Sequence, residues 1–123
     1  MNRTALTSIA PQVFRKRLLV EGFFTIDVSE ATLRQYFVSL TSRLNLRTYG
    51  EPVIHATSGQ GKSENDGFDG FVPLIDSGIY IAVWVKPRFF STILYTCADF
   101  DEDHAVQIVR DVMGATEHES AIF

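Results

Sequence analysis

Hydrophobic residues recur along this chain at two different periods, and the changes of period divide it into elements. Lys16 to Ile26 reads as a strand. Leu33, Phe37, Leu40 and Leu44 then fall on one helical face at i, i+4, i+7 and i+11. That helix starts at a capping box of Asp27 with Glu30, or at Ser29. Leu46 to Thr57 predicts a second strand, interrupted near Gly50-Glu51-Pro52. Ser58 to Asp69 is rich in Gly, Ser, Asn and Asp and predicts a mobile loop. Phe71 to Ile75 is a short apolar run, and Asp76-Ser77-Gly78 is turn chemistry. Ile79 to Val85 is β-branched and aromatic, Lys86-Pro87-Arg88 breaks the run, and Phe89 to Cys97 resumes it. Asp99 to Asp103 caps a second helix, whose stripe of Ala105, Ile108, Val109 and Val112 ends at Gly114. Met1 to Val13 shows no periodicity and reads as an arm, and Ala115 to Phe123 reads as a polar tail.

The order strand, helix, four strands, helix predicts one α+β domain over residues 1–123, a two-layer sandwich. Its antiparallel sheet carries both helices on one face. Alternation puts Ile79, Ile81, Val83 and Val85 on the core face and Tyr80, Ala82, Trp84 and Lys86 on the other. That second face is too apolar to stay wet, so a symmetric homodimer is expected to cover it. A chain of this length buries about two-thirds of its unfolded surface, which makes a partner useful.

Net charge −4 argues against nucleic acid, and Arg15-Lys16-Arg17, the densest basic run, reads as a solvated strand start. The single cysteine, Cys97, excludes an internal disulfide and fits a reducing cytosol. No apolar run approaches the ~20 residues of a membrane helix, and the N-terminus lacks a signal peptide's apolar core. A cytoplasmic protein is the expectation.

The segment Asp69-Gly70-Phe71-Val72-Pro73-Leu74-Ile75-Asp76-Ser77-Gly78-Ile79-Tyr80-Ile81-Ala82-Val83-Trp84, with Tyr95-Thr96-Cys97-Ala98, resembles prokaryotic pyruvoyl-dependent S-adenosylmethionine decarboxylases of polyamine (spermidine) synthesis. Arg17-Leu18-Leu19-Val20-Glu21 is similar to that family's first strand. The resemblance covers roughly residues 16 to 114 and is specific between 69 and 98. It implies that Ser77 is the serine whose hydroxyl breaks the preceding peptide bond and becomes a pyruvoyl group. That group supplies Schiff-base chemistry with the substrate amine. The resemblance further implies that Cys97 donates a proton to the product carbon and that Trp84 lies at the adenine side of a pocket. Asp76, Asp69 and Glu21 are the candidate polar contacts for a cationic adenosyl ligand.

Several positions depart from the family pattern. Asp69 stands where the family has a serine that assists cleavage, and Asp76 replaces its glutamate. Gly78 and Ala82 replace two histidines, one of them used in proton transfer during cleavage. General acid–base help is worth about 10²–10⁴-fold, so self-cleavage is expected to be slow or absent. No cofactor is then expected, and a pyruvoyl group arises from Ser77 only if the chain is processed.

Each of these residues also has a plain structural reading. Ser77 is a turn residue, Cys97 a small core hydrophobe, Trp84 a core or interface aromatic, and Glu21 an exposed strand carboxylate. Ala56-Thr57-Ser58-Gly59-Gln60-Gly61-Lys62-Ser63 matches a relaxed phosphate-binding loop. That chemistry needs a helix starting at the Lys-Ser end, and acids and glycines follow instead. His55, His104 and His118 share no metal-ligand spacing.

Three functions follow. The first is a non-processing homologue acting as a binding or regulatory subunit, for example of an active decarboxylase. The second is an active decarboxylase cleaved at Asp76-Ser77, with Asp69 and water replacing the missing histidine. The third is a structural dimer without ligand.

Overall fold

A computed structural model describes residues 8–123. Its elements are β1 (Lys16–Phe23), α1 (Glu30–Arg43), β2 (Val53–Ala56), a single 3-10 turn (Ser63–Asn65), β3 (Gly67–Leu74), β4 (Ser77–Trp84), β5 (Phe89–Thr96), α2 (Glu102–Met113) and β6 (Glu117–Ile122). One six-stranded antiparallel sheet has the order β2-β3-β4-β5-β1-β6. The α+β sandwich expected from the sequence is the fold observed.

Inner-face residues Leu18, Val20, Ile79, Ile81, Val83, Phe90 and Leu94 are buried. They form one core with Leu33, Tyr36, Phe37 and Leu40 of α1 and Ala105, Ile108, Val109 and Met113 of α2. Both helices therefore cover a single face of the sheet. The Tyr36 hydroxyl hydrogen-bonds the Thr92 hydroxyl in this core, and Thr92 Oγ1 donates to the Tyr80 carbonyl at 2.8 Å. Burial drives the Tyr36 phenol upward and out of any ordinary titration range. Its one polar atom is satisfied, which is what makes a fully buried tyrosine tolerable.

Ser29, not Asp27, caps α1: its side chain accepts from the Thr32 N–H while Thr32 Oγ1 accepts from the Ser29 N–H. Asp101 caps α2 by accepting from the His104 N–H, and Gly114 closes that helix in the left-handed conformation at φ 60°.

Four details differ from the sequence reading, the first being that β3 begins at Gly67, inside the stretch from Ser58 to Asp69 that reads as a loop. Ala115 to Phe123 is not a plain tail, because Glu117–Ile122 forms edge strand β6 on β1. Its residues are mostly exposed, so it carries no hydrophobic alternation to announce it. The second strand shrinks to Val53–Ala56, preceded by an isolated bridge from Thr48 to Leu74. Val85 is not a core residue but sits 43% exposed in the turn after β4. The arm reading falls partly on residues 1–7, outside the described residues. The rest of that arm, from Ser8, holds a turn closed by Val13 N–H donating to the Ala10 carbonyl.

Candidate functional site

The connection between β3 and β4 is a two-residue turn, Ile75-Asp76, with Leu74 paired to Ser77. Ser77 itself takes φ 124°, a backbone region that residues with a Cβ rarely occupy and that costs about 1–3 kcal/mol. The turn lies one residue earlier than Asp76-Ser77-Gly78 suggested. Gly78 is already a buried strand residue. A Cβ on it would stand 2.8 Å from two ring atoms of Phe71, so that ring occupies the space a side chain at 78 would need.

Asp76 is only 6% exposed, yet its carboxylate is fully engaged. Arg47 Nη2 donates to one oxygen at 2.8 Å; Arg47 Nε and the Arg47 backbone N–H donate to the other at 3.4 and 3.3 Å. The Ile75 N–H donates in turn to the Arg47 carbonyl at 2.8 Å, so one residue grips both halves of the turn. These hydrogen bonds hold the Asp76 carboxyl below its usual range, the Arg47 side chain contributing most and burial opposing. The Arg47 guanidinium is raised correspondingly by Asp76. Arg47 lies in the irregular segment between α1 and β2, where an arginine in sequence looks like any solvated cation. No signal in the sequence singled it out.

Cys97 follows the end of β5 beside this turn. It is a free, exposed thiol, and its N–H donates to the Asp76 carbonyl at 2.8 Å. Ser77 pairs with Thr96 across the same ladder. The structure therefore brings Ser77, Asp76 and Cys97 together. The carbonyl of the peptide bond preceding Ser77 already has one backbone donor, the kind of contact that stabilises a developing oxyanion.

The other three candidate residues lie elsewhere. Trp84 is at the opposite end of β4, roughly 23 Å from Ser77 at strand rise, stacked at a tilt on Phe89 with centroids 5.6 Å apart. Asp69 pairs with Ala82, roughly 16 Å from Ser77 along the strand, and accepts from the Tyr80 hydroxyl at 3.0 Å. Burial and then that acceptor raise the Tyr80 phenol. Glu21 lies across Ser91, and Ser91 across Ala82, so Glu21 and Asp69 belong to one transverse row on the outer face. Nearer Ser77, Phe71, Gly78, Tyr80, Ile93 and Tyr95 line an apolar cavity of about 410 Å³. Tyr95 and Phe71, large aromatics beside Ser77, were read in the sequence only as strand formers.

In the glycine-rich loop, Lys62 precedes only the three-residue 3-10 turn, and Lys86 Nζ donates to Ser63 Oγ at 3.2 Å. No helix dipole is available there for a phosphate. Among the described residues no group of three or more His, Cys, Asp or Glu could hold a metal ion. No helix among them is long and apolar enough to cross a membrane.

No family profile and no curated protein sequence matches the chain. Among solved structures it is similar to the adenosylmethionine decarboxylase from Aquifex aeolicus VF5, with a TM-score of 0.72 at 17% identity. The match covers 90% of this chain and 89% of that one. At that identity the likeness shows the fold: an adenosylmethionine decarboxylase-like α+β sandwich.

Two outcomes follow from this geometry. Ser77→Gly relieves the unfavourable φ, and should raise the unfolding free energy by about 1 kcal/mol in urea titration. A loss of stability would show that Ser77 is unstrained. For the Asp76 clamp, a lowered folded-state pKa gives stability that is present above the ordinary carboxylate range and lost as pH falls through the lowered value. Asp76→Asn should therefore be less stable than the natural chain near neutrality. The gap should close as pH drops below about 4. Solvent limits its size, because the Arg47 side chain is 67% exposed. A gap unchanged across that acid range in denaturant melts would contradict the clamp.

Proposed function

We propose that this chain is a non-processing relative of the S-adenosylmethionine decarboxylases. It acts as a homodimeric binding or regulatory subunit in polyamine metabolism that takes an adenosyl sulfonium. The observation that carries the reading is the contrast around Ser77. The serine, the strained turn and the donor to the Asp76 carbonyl are in place, while the proton carriers are not. Ala82 faces Asp69 and Ser91, Gly78 lies under the Phe71 ring, and the Asp76 carboxylate is spent on Arg47. The residues present do not fit the formation of a pyruvoyl group, and Asp69, opposite Ala82 on β3, is too far from Ser77 to serve it as a base.

The dimer uses the outer sheet face, where Phe23, Phe71, Tyr80 and Tyr95 are each 40–43% exposed in a single chain. A twofold axis between two stacked sheets and perpendicular to the strands lays the Trp84 end of one copy over the Ser77 end of its partner. Trp84 then regains the role of stacking surface, and the Glu21 and Asp69 row supplies negative charge for the sulfonium.

Three experiments test this. Purified protein should give a single full-length mass that hydroxylamine leaves unchanged. S-adenosylmethionine should quench or enhance the emission of Trp84, the sole tryptophan, with an affinity of about 10 µM to 1 mM. Uncharged methylthioadenosine should bind less well. A fragment beginning at a blocked residue 77 would show an active, self-cleaving protein. No optical response to either ligand would leave a structural dimer. Light scattering should report a dimer at micromolar concentration, and Trp84→Glu should shift it toward monomer, since the aromatic surface contributes several kcal/mol at about 25 cal/mol per Å². A folded monomer of the natural chain would overturn the interface.

A further inference from the structure

Gly78 leaves a gap in the outer face of the sheet, and aromatic side chains surround it. Tyr95 stands directly across from it on β5, Tyr80 follows two residues later on β4, and Phe71 lies across from Tyr80 on β3. Phe71 leans over the glycine, since a Cβ built at 78 would meet two of its ring atoms at 2.8 Å. With Ile93 and Ser77 these residues line the cavity of about 410 Å³. All three aromatic side chains are half-exposed, and none pairs with another ring among the described residues. No residue of the Ser8–Arg15 segment lines this cavity.

The wall carries no carboxylate, amide or cationic side chain. The Tyr80 hydroxyl is turned to Asp69 Oδ1, 3.0 Å away. A primary ammonium entering here would give up water for too few acceptors and leave N–H groups unpaired. A quaternary ammonium has no N–H to satisfy, and its spread positive charge is attracted to the negative faces of aromatic rings. The surrounding charge agrees. Asp69 puts a carboxylate on Tyr80, and the chain as a whole carries −4. The arginines at this end of the sheet are turned to other partners: Arg17, across from Tyr95, lies over the Phe123 ring, and Arg47 grips Asp76.

We infer that this cavity is an aromatic cage for a small quaternary ammonium cation, with a trimethylammonium group held over Gly78 by Phe71, Tyr80 and Tyr95. Its volume falls within the range of small-molecule pockets, about 300–1,000 Å³. A second copy laid over this face, as in the proposed dimer, would roof the cage and exclude water, which strengthens a contact between a cation and a ring. The inference does not rest on the adenosyl reading, because its ligand has neither nucleoside nor sulfonium and the cage does not use Trp84.

The test is calorimetry on the full chain with choline, with its uncharged carbon isostere dimethylbutanol, and with ethanolamine, which keeps the charge without the methyl groups. Choline should bind at millimolar concentration, and both controls should be weaker by about tenfold or more. Tyr95→Leu, which removes one ring, should weaken choline by about fivefold or more. Should that variant fail to fold, the methyl protons of choline on the natural chain should move upfield and show Overhauser contacts to the rings of Phe71, Tyr80 and Tyr95. Equal binding of choline and dimethylbutanol, ethanolamine binding as tightly as choline, undiminished binding by folded Tyr95→Leu, or no Overhauser contact to these rings would each overturn the assignment. If S-adenosylmethionine binds and choline does not, the cage falls and the adenosyl reading stands. If choline binds and S-adenosylmethionine does not, the cage stands and the adenosyl reading falls.

Discussion

The two-residue connection between β3 and β4 pairs Leu74 with Ser77, and that register decides which side chains share each face of the sheet. Side chains alternate with a period of two, so a slip of one residue would exchange the faces. Ile79, Ile81 and Val83 would leave the helices, and Tyr80 and Trp84 would have to enter a core already filled by Phe37, Phe90 and Ile108. The register also sets Ser77 opposite Thr96, which is what brings the Cys97 N–H to the Asp76 carbonyl.

Holding so short a turn has a cost at Ser77, and the offset comes from outside the hairpin. Arg47 reaches it with its guanidinium, its N–H and its carbonyl, and Tyr49 N–H adds a contact to the Pro73 carbonyl at 3.0 Å. A φ of 124° at a serine persists only where neighbours over-determine it. The same contacts remove Asp76 from chemistry, because a carboxylate bonded to three donors is a poor proton acceptor. Stability of the turn and basicity at the turn are therefore in competition here, and the structure favours stability.

How much of this could be read from the sequence differs by element. The central strands were legible because β-branched and aromatic residues alternate there without interruption, and both helices because their stripes repeat at helical spacing. β6 was not, since an edge strand exposed on most of its residues has no apolar face to reveal it. At the site, the nearness of Ser77, Asp76 and Cys97 followed from their places at the ends of adjacent strands. The separation of Trp84 from Ser77 was equally implicit in the length of β4, but adjacency in a motif obscured it. Arg47 was invisible, because its role depends on a loop path that no local pattern encodes. The turn lies one residue before the place its sequence chemistry indicates, because glycine at 78 looks like a conformational need. In the structure it is a spatial need set by Phe71.

The outer face carries its charge in a pattern that constrains what can cover it. Along β4, one transverse row joins Arg17 to Tyr95, Gly78 and Pro73, the next is apolar through Leu19, Ile93, Tyr80 and Phe71, and a third holds Glu21, Ser91, Ala82 and Asp69. In the proposed dimer, an axis perpendicular to the strands sets the first row against the aromatic row of Phe23, Phe89 and Trp84. It sets the Glu21 row against the apolar one. No arginine of one copy then meets a glutamate of the other. Acid beside acid at Glu21 and Glu119 is unfavourable by itself, and desolvating it against leucine and tyrosine would be worse. The dimer must therefore leave that row hydrated or bring in a cation, as a sulfonium ligand would.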